Sequence, residues 1–313
     1  MIHVTVSEKS VLSDRICRLL LCAANGQELP KATPGAHIDV HLPNGLVRQY
    51  SLCNEANRNG YEIAVLNEPQ GRGGSAYIHE HLTIGDSLQI SEPKNLFPLD
   101  SSARRTILIA AGVGITPILS MAEHLLQTGA DFTLHYCTKT PEQTAYLQRI
   151  THSGLAKFSH FHFSQNGRVN LAQVITAPQD DLHVYVCGPN AFNDAVIECA
   201  ISKNWQGANI HREYFSAAPI DHSSDGSFEI EINSTGDVFN VPANESMLEV
   251  LEDRGFFIPV ACEQGVCGTC ITGLLSGEAE HKDVFMTPDE HSKMNKITPC
   301  CSRAKSKRLV LDL

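Results

Sequence analysis

The sequence lacks the marks of export and of membrane residence. Its first ten residues, MIHVTVSEKS, hold no basic segment followed by an apolar stretch, so no signal peptide is expected. No uninterrupted apolar run approaches the roughly 18 residues that a spanning helix needs, so no membrane association is expected. An even cysteine count, as a disulfide framework would have, is also missing. Eleven cysteines in a chain without export signals read as free thiols or metal ligands in a reducing cytoplasm. Positive charge is scarce: 24 Lys and Arg against 35 Asp and Glu leave a net charge of −11. That balance argues against nucleic acid, whose phosphates demand a basic face. No short repeat or low-complexity tract is visible.

The chain's 313 residues suffice for two or three compact domains, and 42% hydrophobic with 19% charged residues is ordinary for a globular protein. The first hundred residues read as β-rich. HVTVSEKSVLSDRICRLLLCA, GAHIDVHLP, YEIAVLNE and DSLQISEP are strand-like and punctuated by Gly, Pro and Asn, the pattern of a small β-barrel. At RRTILIAAGVGITPILSMAEHLLQTG the character changes to a buried strand, a glycine turn and an amphipathic helix. DFTLHYCTK, KFSHFHFSQ and DLHVYVCGPNAFNDAVIECA follow, and this alternation implies a parallel sheet with helices on both faces. The stretch SAAPIDHSSDGS reads as a linker, after which FEIEINSTGDVFNVPANESMLEVLEDRG reads as a hairpin followed by one helix. The expected domains are 1–101, a barrel; 102–222, an α/β domain; and 223–313.

The sharpest signal is ACEQGVCGTC, residues 261–270. Cys262, Cys267 and Cys270 have C-x4-C-x2-C spacing, and Cys300 follows thirty positions beyond Cys270. This is the ligand spacing of a plant-type 2Fe–2S cluster, in which the fourth thiolate comes from afar. Gly265 and Gly268 let the loop wrap closely around such a group. Zinc sites usually pair two tight C-x2-C knuckles or mix in His, and one knuckle within a triad fits them poorly. Cys301 beside Cys300 leaves the fourth position open on spacing alone. The fifteen histidines, scattered as in HFHF and HEHL, read as surface or packing residues, and none is assigned to a metal.

Two further sets of motifs bear on cofactors. In RQYSL (48–52), strand alternation puts Arg48 and Tyr50 on one face and Gln49 and Ser51 on the other. In GRGGSAYIHEHL (71–82), Gly73, Gly74 and Ser75 suit an N–H cradle opening a helix, a site for an anion. Together they suit a flavin, which needs a cation or donors at its phosphate and an aromatic wall at its ring. AAGVGITPILS (110–120) places Gly112 and Gly114 between strand and helix, with Pro117 where a third glycine of the dinucleotide fingerprint would stand. CGPNAF (187–192) puts Cys187, Gly188 and Pro189 after another strand, at the same carboxyl edge where open α/β sheets bind ligands.

The order RQYSL, GRGGS, GVGITP, CGPNAF and CEQGVCGTC resembles the ferredoxin–NADP reductase superfamily. More closely, with YSLCNE, NLFPLD, GEAEHKD and SRAKSKRLVLDL, it resembles the phthalate dioxygenase reductase family along essentially the whole chain. The resemblance implies FMN rather than FAD, an NADH-binding domain and a C-terminal β-grasp 2Fe–2S ferredoxin domain. It prefers Cys300 over Cys301 as the fourth ligand. It implies FMN-binding roles for Arg48, Tyr50, Ser51, Leu52, Gly73, Gly74 and Ser75, with Ala64 and Val65 in the strand approaching the ring. Phe215 in EYFS resembles the aromatic that covers the flavin and moves for nicotinamide, and Thr116 resembles a residue near both rings. Gly112, Gly114, Pro117, Cys187, Gly188 and Pro189 resemble the NAD-binding turns. Surface loops such as SQNGRVN depart from the phthalate enzyme. No Arg cluster follows LHYCTKT, where Lys139 stands alone, and this favours NADH over NADPH.

An NADH, FMN and 2Fe–2S set implies hydride transfer to the flavin followed by single-electron steps to the cluster, with no side chain required as a proton-shuffling catalyst. Residues 223–313 carry 15 Asp and Glu against 8 Lys and Arg, seven of the chain's eleven excess negative charges. Such a surface steers a basic protein partner. The resemblance makes that acceptor a Rieske-type oxygenase. Two readings compete: a stand-alone NADH reductase of small acceptors, and a redox-sensing module that does not turn over.

Overall fold

The computed structural model describes every residue except 55–59, 180, 217–224 and 287. The linker expected over 216–227 therefore lies largely outside the described residues. No described helix is long and apolar enough to cross a membrane. The chain divides into two compact units, Met1–Glu213 and Tyr214–Leu313.

The first unit begins with six strands: β1 (Ile2–Ser13), β2 (Ile16–Ala23), β3 (His37–His41), β4 (Val47–Ser51), β5 (Tyr61–Leu66) and β6 (Ser87–Ile90), with the short helix α1 (Gly74–Glu80) before β6. They form an antiparallel sheet in the order β4-β3-β6-β1-β2-β5. Two register shifts in the β1–β2 hairpin, at Val6/Glu8 and Val11/Ser13, bend those strands. A bridge between Leu52 and Ile63 then ties the two ends of the sheet together and closes the barrel. Its filling comes from alternate residues such as Val4, Val6, Leu19, Leu21, Ile38 and Ile63.

The second sheet of this unit comprises β7 (Arg105–Ala111), β8 (Asp131–Thr138), β9 (Ser159–Phe163), β10 (Leu182–Cys187) and β11 (Ile210–Glu213). Its order is β11-β10-β7-β8-β9 and every pairing is parallel. β10 is buried at all six positions, as expected of a strand covered on both faces. The helix α2 (Ile115–Thr128) covers one face with Ile118 and Leu119, and Gly129 ends it at φ 70°. On the other face Ile107, Ile109, Val184 and Val186 pack with Val196 of α5 (Asn190–Ser202), near α4 (Leu171–Val174). Strand order reverses between β7 and β10, so the crevice at their carboxyl ends is where this topology places a ligand.

Barrel and parallel sheet share one apolar core. Ile16, Cys53, Ala64 and Phe97 join Leu108, Ile115 and Tyr136 in a single cluster. A buried ion network reinforces the join. Glu62 of β5 receives Arg18 at 2.7 Å and Arg149 of α3 (Leu147–Thr151) at 2.6 Å, and Arg149 also reaches Glu123 of α2 at 2.7 Å.

The second unit is built on β12 (Phe228–Ile232), β13 (Val238–Val241), α6 (Met247–Asp253), β14 (Thr272–Ser276), β15 (Ala279–Glu280), α7 (Pro288–Ser292), β16 (Lys296–Ile297), β17 (Arg303–Ala304) and β18 (Arg308–Asp312). The main sheet runs β13-β12-β18-β14-β16, with β12 and β18 parallel and the other pairs antiparallel. This is the expected β-grasp arrangement. Leu248 and Leu251 of α6 pack on Ile230, Ile232, Leu309 and Leu311, and a Ser246–Glu249 capping box starts the helix.

Arg149→Ala leaves Glu62, only 7% exposed in its side chain, with one of its two cations. The unfolding free energy of the first unit should fall by about 2 kcal/mol, toward the cost of breaking a buried pair. Urea denaturation checks this; a loss below about 0.5 kcal/mol would mark the network as an ordinary solvated one.

Candidate functional site

The loop 261–270 gathers thiols from two parts of the second unit. Cys270 Sγ lies 3.3 Å from Cys300 Sγ, and Cys262 lies against both Cys267 and Cys300. Cys267 and Cys270 are buried; Cys262 and Cys300 are half-buried. Backbone donors point at the sulfurs: Gln264 N–H reaches Cys262 Sγ at 3.4 Å and Thr269 N–H reaches Cys267 Sγ at 3.5 Å. Neighbouring thiols hold Cys262 and Cys270 well below the ordinary thiol range, Cys267 acting chiefly on the former and Cys300 on the latter. Gly265 (φ 70°) and Gly268 (φ 65°) make the turns. A Cβ would meet Cys301 Sγ at 2.6 Å from position 265 and the Phe285 ring at 2.5 Å from position 268. Cys301 lies beside this group, its sulfur 3.2 Å from Thr298 Oγ1 and also against Cys300. Four converging sulfurs with aimed N–H groups fit a metal–sulfur group.

The two glycine turns of the parallel sheet abut. A Cβ on Gly114 would lie 2.2 Å from the Cys187 carbonyl oxygen, and one on Gly188 would lie 2.8 Å from Ala111 Cβ. Gly112 adopts φ 55°, and its carbonyl accepts the Tyr136 hydroxyl at 3.0 Å. The buried Thr116 donates to the Val113 carbonyl at 3.0 Å, Pro117 sits in the first turn of α2, and Pro189 precedes α5.

At this edge the structure adds a residue that sequence reasoning missed. Glu213, the last residue of β11, is half-buried at the crevice. Its Oε2 accepts Ser51 Oγ at 3.4 Å and lies 3.9 Å from Cys187 Sγ. Burial pushes its carboxyl up to about 8, against smaller lowering by Ser51 and Cys187. It therefore holds a proton at neutral pH, beside the strand ends where a ligand is expected. In HREYFS nothing distinguishes it from a solvated strand-end glutamate.

The barrel residues divide by face. Arg48 donates to the Val47 carbonyl at 2.7 Å and the Arg72 carbonyl at 2.8 Å, and its chain crosses Gly74, where a Cβ would lie 2.6 Å from Arg48 Cγ. Gly73 is left-handed at φ 78° and opens α1, while Ser75 Oγ accepts Glu68 N–H at 3.1 Å. Tyr50 packs against the barrel core, and burial pushes its phenol above the ordinary range. Leu52 and Val65 turn inward, whereas Ala64 belongs to the core that also contains Ile115 and Cys187. Phe215, two residues past β11, is 40% exposed. A cavity of about 500 Å³ lies along β8 and β9, lined by His135, His160, His162, Arg168 and Gln173 and formed in part by the SQNGRVN segment.

A metal–sulfur centre has a use beside an electron source, and the barrel joined to a parallel sheet is built like the reductases of flavin and pyridine nucleotide; the class is an iron–sulfur oxidoreductase. Residues 230–305 match the "2Fe-2S iron-sulfur cluster binding domain" family, and residues 91–210 match "Dimethylamine monooxygenase subunit DmmA-like, N-terminal domain". The chain is 49% identical to vanillate O-demethylase oxidoreductase of Pseudomonas putida over 100% of both chains. The solved phthalate dioxygenase reductase, described as modular for electron transfer from pyridine nucleotides to [2Fe-2S], superposes with a TM-score of 0.76 at 38% identity, covering 99% of this chain and 97% of that one. An intact type IV self-sufficient cytochrome P450 monooxygenase gives a TM-score of 0.89 at 32% identity; all of this chain corresponds to 41% of that one. The chain belongs to the phthalate dioxygenase reductase family of oxygenase reductase components.

The raised carboxyl makes a pH prediction. Between about 4.5 and about 8 the folded protein keeps a proton on Glu213 that the unfolded chain has released, so stability from this group falls as pH rises through that window. Glu213→Gln should remove that component, and its stability relative to the parent should rise with pH. Urea denaturation from pH 5 to 9 reads the difference; parallel profiles would show that Glu213 ionises normally.

Proposed function

We propose that this protein is the reductase component of a two-component Rieske-type oxygenase, carrying electrons from NADH through FMN and a 2Fe–2S cluster to the oxygenase. The observation that carries the reading is the convergence of Cys300 on the three-cysteine loop within one chain that also sets Ser51, Cys187 and Glu213 together at a nucleotide-type switch point. When bound, the flavin would supply exchange between two-electron and one-electron chemistry, and the cluster would carry single electrons.

The chain's own residues prepare the sites. Cys262, Cys267, Cys270 and Cys300 would be the cluster ligands. Arg48, Gly73, Gly74 and Ser75 would hold the FMN phosphate side, while Tyr50, Ser51, Leu52, Ala64 and Val65 would line its ring, the last through its backbone. Gly112, Gly114, Pro117, Cys187, Gly188 and Pro189 would form the nicotinamide nucleotide turns, with Thr116 close by and Phe215 covering the flavin. Glu213 would hold Ser51 and Cys187 in place at the crevice and keep the buried site uncharged. The functional segments would be 1–101 for FMN, 102–222 for NADH and 223–313 for the cluster. The cytoplasm suits eleven cysteines without a disulfide among them, and the acidic excess of the last segment suits a basic face on the oxygenase.

Two measurements test the reading. Cys300→Ser should lose the cluster's visible absorption and at least nine-tenths of its acid-labile sulfide, while Cys301→Ser keeps both. The reverse pattern would move the fourth ligand to Cys301. With an oxygenase supplied, NADH oxidation should couple to substrate turnover that stops without this protein. Unaltered oxygenase turnover in its absence, with rapid reduction of quinones or ferric chelates, would instead favour a stand-alone reductase.

A further inference from the structure

We propose that His281, Asp283 and His291 form a binding site for one divalent transition-metal ion, separate from the four-cysteine loop. One donor atom from each residue falls within 4.8 Å of the others. His291 Nε2 lies 3.2 Å from both Asp283 oxygens, and His281 Nδ1 lies 3.7 Å from Asp283 Oδ1. Two ligands each about 2.1 Å from a tetrahedral ion stand about 3.4 Å apart, so these spacings bracket what one ion needs.

The independent observation is His281. Its side chain is only 6% exposed, and neither ring nitrogen has a hydrogen-bond partner. The His291 backbone comes near without reaching bonding geometry. A buried imidazole with two unpaired nitrogens is costly unless something not of the chain satisfies one of them.

Asp283 is fully buried in its side chain and already oriented: Oδ1 accepts Thr298 Oγ1 at 3.2 Å and Oδ2 accepts Met286 N–H at 2.8 Å. Such bonds are what aim a carboxylate at a metal. The two rings stack at 4.2 Å and 8°, so one must turn for both lone pairs to meet an ion. His291 has the room, being 26% exposed on the five-residue helix α7. Two imidazoles and one carboxylate suit zinc and its first-row neighbours rather than magnesium or calcium. The ion would stiffen the cysteine loop from behind, because Val284 and Phe285 donate N–H bonds to the Gly265 carbonyl at 3.1 and 3.2 Å.

The test uses the purified protein with its cofactors, dialysed against micromolar zinc and analysed for zinc, iron and sulfide. The expected result is one zinc per chain with iron and sulfide unchanged, and at least tenfold weaker zinc binding in both His291→Asn and His281→Gln. Thermal bleaching of the cluster should shift upward on zinc addition in the parent and not in the variants. His291→Asn, at a partly exposed position, keeps the test open if His281→Gln fails to fold. No zinc uptake by the parent, equal uptake by the variants, or uptake only at the expense of iron would overturn the proposal.

Discussion

Sulfur atoms brought together in a protein interior repel as they ionise, and this constraint shapes the second unit. The charge is offset by backbone N–H groups, and the chain presents them by turning left-handed at Glu263, Gly265 and Gly268. The two glycine turns leave no room for a Cβ, so Phe285 and Asp283 close directly on the loop. The Val284 and Phe285 N–H groups then hold the Gly265 carbonyl. Arg303, 4% exposed, fastens the tail from the other side through the Gly226, Pro242 and Glu245 carbonyls. The β-grasp sheet serves as the frame on which this wrapping is tensioned.

The first unit obeys a constraint of close backbone approach. With the Cys187 carbonyl 2.2 Å from where a Gly114 Cβ would stand, the two turns after β7 and β10 form one surface. The shared core keeps β5 of the barrel against it through Ala64 and Ile115. Ser51, at the end of β4, thereby reaches Glu213 at the end of β11, 162 residues away. A reactive edge made from three strand ends depends on this packing more than on any one motif.

What was legible in the sequence follows the range of the interaction. The cysteine triad, the glycine turns and the three sheet types rest on spacing and periodicity within a few residues, and each was readable. The preference for Cys300 over Cys301 could not rest on spacing, because adjacent residues share it; in the fold Cys300 Sγ lies 3.3 Å from Cys270 Sγ, while Cys301 Sγ meets Thr298 and Cys300. Glu213 was missed because its partners, Ser51 and Cys187, are both far away in sequence. The histidines at 281 and 291 read as packing residues because only the fold brings both of them to Asp283.

Three buried carboxylates show how differently one cost can be met. Asp225, 1% exposed in its side chain, is neutralised by Lys282 and Arg303. Asp283 is held by hydroxyl and amide donors with two imidazoles alongside. Glu213 has no cation among its named partners, and its burial is relieved by keeping a proton. Paired charges make a fixed joint, because removing either partner strands the other. A carboxyl poised near neutral pH is different, since its charge responds to whatever enters the crevice. The other two are fixed by their neighbours within the second unit.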